Sequence, residues 1–149
     1  MTPSASHARA AGLWFWAAAA FSLLLAFTPW GGLALYPFRV FTTWVHESGH
    51  AVAALAVGGG VRAITIAADG SGLTTSAIPA GRLAQGIVAS AGYLGTALVG
   101  CLLMVAARAE RWGRAILWGL GALMLLSALF WVRNLFGLVV VLLWAGALL

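Results

Sequence analysis

Apolar stretches of membrane-crossing length, broken by single arginines or by glycine and proline, dominate this sequence and limit what it can fold into. Of 149 residues, 63% are hydrophobic and 7% are charged, against about 25% charged in soluble domains. Mean hydropathy is +1.02. Too few polar side chains exist to cover a water-facing surface, so the composition points to membrane embedding.

The charge pattern supports the same reading. Eight arginines face only three acids, Glu47, Asp69 and Glu110, for a net charge of +5. The arginines (residues 9, 39, 62, 82, 108, 111, 114 and 133) stand at the edges of apolar runs, where membrane-flanking anchors belong. They form no basic cluster suited to nucleic acid, which is excluded as a partner. An N-terminus inside places four arginines on each side, so the positive-inside rule leaves orientation open. Cys101 is the sole cysteine, which forbids an internal disulfide; it is expected to pack as a small hydrophobe.

Along the chain, residues 1–11 read as a short polar tail and 12–35 as a first, uncleaved apolar span, broken by Pro29 and Gly31-Gly32. A second helix is expected over 38–58, ended by Gly58-Gly59-Gly60. Val61–Ile66 and Leu73–Ile78, joined through Asp69-Gly70-Ser71-Gly72, read as a β-hairpin. A third span covers 83–107, where Gly92, Thr96 and Gly100 recur every four positions and favour close helix contact. Residues 115–149 are too long for one crossing, at about 50 Å against a hydrocarbon core of about 30 Å. The break belongs at Arg133-Asn134, giving a fourth span and the start of a fifth. The expected fold is an all-α polytopic membrane protein of about four to five transmembrane helices, with a short β-hairpin between the second and third. Residues 1–149 are taken as one membrane-embedded domain. The apolar run reaching Leu149 without a polar flank reads as a C-terminally truncated end.

Chemistry concentrates in His46-Glu47-Ser48-Gly49-His50. Two histidines four apart share one helix face, so their imidazoles can converge on one metal ion. A glutamate beside them can take a proton from water activated by zinc and return it to a leaving amine. Two of three histidines and one of three acids fall within five residues of an apolar helix, where an unpaired ionisable group costs several kcal/mol. The structural alternative is hydrogen bonding between helices. Zinc needs a third protein ligand. His7 lies in the tail, Asp69 fits a turn role, and Glu110 fits an ion pair with a neighbouring arginine.

Trp44–Leu55, Gly58-Gly59, Asp69–Gly72, Ala91-Gly92-Tyr93-Leu94-Gly95 and Arg133–Gly137 together resemble the site-2 protease family of intramembrane zinc metallopeptidases, in its compact bacterial M50B-like branch. The similarity runs from about residue 36 to the end. It implies that His46 and His50 bind Zn2+, that Glu47 is the catalytic acid/base, and that the chain hydrolyses peptide bonds in or near membrane-spanning substrates. It implies a multi-pass protein of the bacterial cytoplasmic (inner) membrane. In many relatives a later aspartate, in an Asn-Pro-Asp-Gly-like setting, completes the zinc site. Here Asn134-Leu135-Phe136-Gly137 stands in that region, and Phe136 cannot bind zinc. Either the third ligand lies beyond Leu149 or the site is incomplete.

The expected function is therefore a zinc-dependent intramembrane endopeptidase. The alternative is an inactive pseudoprotease that binds or retains membrane-protein partners, and a proton-relaying transporter is a third reading. Asn134 is a candidate substrate-binding residue, or else a helix cap. Arg133 reads as an interfacial anchor. The hairpin edge reads as a dock for an extended substrate, or as a connecting loop. Ser48 and Gly49 are small enough for close approach of a helix or substrate.

Overall fold

A computed structural model of the chain describes residues 5–108 and 110–149, with side chains from residue 12 onward except 109–111. The elements in order are α1 (Ala5–Ala26), α2 (Gly31–Ala34), α3 (Tyr36–Ala56), β1 (Gly60–Ile66), β2 (Gly72–Ala77), α4 (Arg82–Arg108), α5 (Glu110–Phe130) and α6 (Leu135–Leu148). The protein is mostly helical with one two-stranded antiparallel sheet. The chain divides into two compact units, 1–37 and 38–149. In the first, α1 ends where Thr28 N–H and its hydroxyl both donate to Leu25 O, at 2.9 and 2.8 Å.

Among the described residues, two helices are long and apolar enough to cross a membrane, Arg82–Arg108 and Trp112–Phe130. That is fewer than the four to five expected. Gly12–Ala26 and Leu135–Leu148 are apolar but shorter. With a rise of about 1.5 Å per residue, α6 reaches only about 21 Å, short of a hydrocarbon core of about 30 Å. The 21-residue α3 is long enough, but Arg39, Thr42, Thr43, His46, Glu47, Ser48 and His50 lower its hydropathy. On α4 the outward face is apolar: Leu94 is 66% exposed and Leu98 61%. Such a surface suits hydrocarbon better than water. Cys101 is on that exposed surface too, rather than packed inside as expected.

The second unit is built on α3. Its C-terminus is a Schellman motif: Gly59 N–H donates to Ala54 O and Gly58 N–H to Leu55 O, with Gly58 at a left-handed φ. A left-handed residue here favours glycine, which is why Gly58-Gly59 marks the end. The core joins Val40, Trp44, Ala51 and Ala54 of α3 to Ile64 and Ile66 of β1, Met124 of α5 and Val141 and Ala145 of α6. Trp44, 3% exposed, donates from Nε1 to Ser127 Oγ at 2.8 Å, and Ser127 donates to Met124 O. Phe41 and Trp144 tie α3 to α6 with ring centroids 4.9 Å apart.

The expected break at Arg133-Asn134 is present, and it does more than interrupt a helix. Residues 131–134 run along the outer edge of β1, parallel to it at Ile64 and Val132. Ile64 N–H donates to Trp131 O at 2.7 Å and Arg133 N–H to Ile64 O at 3.1 Å. The guanidinium of Arg133 donates to Val132 O and Phe130 O. It thereby caps the carbonyls at the end of α5, where a cation is favoured.

Small residues bring α3 and α4 together, and of the expected positions Gly92 takes part while Gly100 does not. A Cβ on Gly49 would lie 2.4 Å from Ala91 O, and one on Gly95 would lie 3.3 Å from the Gly49 Cα. A Cβ on Gly100 would meet nothing within 4 Å. The contact uses Gly49, Gly92 and Gly95, and the four-residue spacing to Gly100 is not used.

Candidate functional site

His46, Glu47 and His50 project from the middle of α3 into the second unit. His46 and His50, one turn apart, bring their Nε2 atoms to 3.1 Å, with rings nearly perpendicular at 82°. His50 Nδ1 lies 2.6 Å from Val88 O on α4. A carbonyl only accepts, so Nδ1 carries the proton and His50 Nε2 presents its lone pair to His46 Nε2, as the acceptor of the 3.1 Å bond between them. The ring of Tyr93 stands edge-on to His46, with centroids 4.8 Å apart.

Gly92 faces both imidazoles. A Cβ there would lie 2.5 Å from His46 Nε2 and 2.6 Å from His50 Nε2. Any side chain would fill the space onto which the two nitrogens open. Ser48, between the key residues in sequence, has its hydroxyl buried without a hydrogen-bond partner among the described residues.

Glu47 is 6% exposed. Its Oε2 accepts from the Thr74 hydroxyl at 2.7 Å, and the same hydroxyl lies 2.9 Å from Glu47 O. A Cβ on Gly72 would lie 2.8 Å from Oε1. Gly72 and Thr74, two apart on a strand, therefore meet the carboxylate from one face of β2.

The register decides which edge of the sheet is open. Ile64 pairs with Thr74 and Ile66 with Gly72. Ile64 spends its N–H and C=O on Trp131 and Arg133. Ile66 spends its own on the Asn134 amide, which accepts from Ile66 N–H at 3.1 Å and donates to Ile66 O at 2.6 Å. Both pairs are thus the non-hydrogen-bonded type, and Gly72 and Thr74 turn their backbone groups to the opposite edge of the hairpin. A hollow of about 390 Å³ is lined by His46, Glu47, His50, Gly72, Leu73, Thr74, Ser76 and Val88. A second, of about 400 Å³, is lined by Arg39, Thr42, Thr43, His46, Glu47, Gly72 and Tyr93.

Of the residues singled out in the sequence, His46, Glu47 and His50 come together. Asn134 does not line either hollow; its side chain clips the α5–α6 junction to β1. Asp69 forms the hairpin turn, accepting from Ser71 Oγ at 2.7 Å and Ser71 N–H at 2.8 Å. Those bonds, with a smaller contribution from Arg39, hold its carboxyl below the ordinary 3.8. His7 and the side chain of Glu110 lie outside the described residues. Among the described residues, no three His, Cys, Asp or Glu side chains gather to hold a metal ion. Thr74 and Val88 carry no signal of their own in the sequence, and Gly72 stands out there only as part of the Asp69–Gly72 turn. Alternation at Gly72 and Thr74 hints at a shared face, but nothing local says which helix that face meets.

No curated protein and no solved structure matches the chain. Residues 12–149 match the family model described as Peptidase M50B-like, which spans both the α3 motif and the hairpin that faces it. The chain belongs to the Peptidase M50B-like family.

Proposed function

We propose that this chain is a zinc-dependent intramembrane endopeptidase, with His46 and His50 as metal ligands and Glu47 as general acid/base. Family membership gives the coarser statement, a protease-related role in a membrane-associated family. One observation carries the finer reading: the 3.1 Å approach of the two Nε2 atoms beside a buried carboxylate. Two nitrogens on one tetrahedral zinc, each at about 2.05 Å, lie about 3.3 Å apart. The observed pair needs only a small adjustment. The Val88 bond supplies the tautomer a ligand requires, as carbonyl partners do for zinc-bound histidines. The open space over Gly92 supplies the room.

Zinc, when bound, lowers the pKa of coordinated water toward neutrality and polarises a peptide carbonyl. Glu47 accepts the proton of the attacking water and passes it to the departing amine. The substrate is an extended segment of a membrane protein, docked by strand addition along the open edge of β2 at Gly72 and Thr74. That edge brings its backbone past His46 and Glu47. The chain acts as a single membrane-embedded domain, multi-pass, in a bacterial inner membrane.

Replacing Glu47 by Gln is expected to abolish cleavage of a membrane-spanning substrate while zinc stays bound. Cleavage that survives this change removes Glu47 from the chemistry. The pseudoprotease reading is favoured by a different observation: only two candidate ligands converge among the described residues, and Phe136 stands in the region where the resemblance implies an aspartate. Zinc content separates the two. A ratio near one per chain, lost in His46→Ala, supports the enzyme; zinc-free wild-type protein supports the pseudoprotease.

A further inference from the structure

We propose that Thr74 is a positioning residue, whose hydroxyl holds the Glu47 carboxylate and couples it to docking of an extended chain on β2. The inference rests on the reading of Glu47 as acid/base and adds what controls it. A buried carboxylate needs donors. Among the described residues Thr74 is the one side chain that donates to it. On the other oxygen, Gly72 offers no side chain and leaves the carboxylate room to stand where it does. The carboxylate is therefore set from one strand face, by one hydroxyl and one absence.

That hydroxyl has one proton and two acceptors within reach, Oε2 at 2.7 Å and the Glu47 carbonyl at 2.9 Å. When the carboxylate turns toward a proton, the hydroxyl has an alternative acceptor on the same residue. Thr74 therefore need not be left unsatisfied at either stage. The backbone of this residue faces the open edge, as does that of Gly72. A strand added there bonds to the two residues whose other sides meet Glu47. Docking and orientation of the acid/base thus share the same two residues, which gives an extended segment a direct mechanical connection to the catalytic group. Val88 and His50 take no part in this connection, so zinc binding is separable from it.

The test uses the full chain in detergent micelles, with fluorescein-labelled β-casein as an extended, unfolded substrate. The chain has only three Asp and Glu residues, so the infrared difference between wild type and Glu47→Gln isolates the Glu47 carboxylate band. Thr74→Val keeps the shape and removes the hydroxyl. It is expected to shift that band, to lower kcat about tenfold, the loss of one hydrogen bond of about 1.4 kcal/mol, and to leave KM and zinc content within about twofold. Thr74→Ser is expected to restore the band and most of kcat. Unlabelled casein, added to chelator-treated protein so that no peptide bond is cut and no new carboxylate forms, is expected to move the band in wild type and not in Thr74→Val. An unshifted band in Thr74→Val, or a Thr74→Ser variant as slow as Thr74→Val, overturns the proposal. A wild-type band that does not respond to casein overturns the coupling. Cleavage by Glu47→Gln defeats the underlying reading instead, and the infrared result still decides whether Thr74 holds the carboxylate.

Discussion

Gly92 shows how the smallest side chain can be the most constrained. Alanine is favoured over glycine in a helix interior by about 1 kcal/mol, so Gly92→Ala should leave α4 folded. Its Cβ, however, would meet both imidazole Nε2 atoms at 2.5 and 2.6 Å. The expected outcome is a fall of about tenfold or more in zinc affinity, comparable to removing the hydrogen-bond partner of a ligating histidine. Equilibrium dialysis measures the affinity, with circular dichroism to verify the helix. Asp69 makes a separate prediction. Its carboxyl is held below 3.8 first by the Ser71 hydroxyl and then by the Ser71 N–H. A depressed carboxylate stabilises the fold above its unfolded value and loses that contribution as pH falls through the folded one. The charged turn is thus fully supported above 3.8 and weakened only in stronger acid. Ser71→Ala should raise the Asp69 midpoint back toward 3.8 in a carbon-detected NMR titration.

At the scale of elements, the segment between α5 and α6 decides which hairpin edge is free. Asn134 supplies two bonds to Ile66 and so continues the pairing that Ile64 makes with residues 131 and 133. Asn134→Ala leaves the Ile66 N–H and C=O without those partners. A part-buried pair left unsatisfied costs about 1–3 kcal/mol. Thermal unfolding in detergent should report that loss, and the freed β1 edge should exchange its Ile66 amide faster. The hairpin itself was legible in the sequence, because β-branched residues flank Asp69-Gly70. Gly70 takes the left-handed φ that such a turn requires. The end of α3 at Gly58 was legible too. The parallel pairing of 131–134 was not. A four-residue interruption of an apolar run reads locally as a break, and its partner lies 68 residues away in sequence.

For the whole molecule, the expectation of four to five spans met a structure in which two described helices satisfy length and apolarity together. The difference sits mainly in α3, whose polar residues turn inward to the site, and in α6, which is short. A chain with outward faces such as Leu94 and Leu98 should remain in the membrane pellet after alkaline carbonate extraction, whereas a peripheral protein would be released. Release into the supernatant would sink the multi-pass reading. Zinc bound only to the folded chain should also raise its unfolding midpoint, and a chelator should lower it.

What the sequence determined by itself is local. Hydropathy placed α3 to α6 and glycine ended α3, whereas α1 starts at Ala5, inside the stretch expected to be a polar tail. A spacing of four put His46 and His50 on one face, because a helix turns about every 3.6 residues. Residue types singled out this trio as a candidate site for a related reason, since imidazole and carboxylate have few other uses inside an apolar helix. The tertiary structure decided everything that depends on meeting across the chain. It gave Glu47 its partner in Thr74, His50 its carbonyl in Val88, and the imidazoles their space over Gly92. It also gave the Asn134 amide its two partners on Ile66 of β1. These contacts join positions far apart in the chain, and no periodicity within one segment can specify them. They follow only when the segments are packed and each buried polar group must find the donor or acceptor within reach.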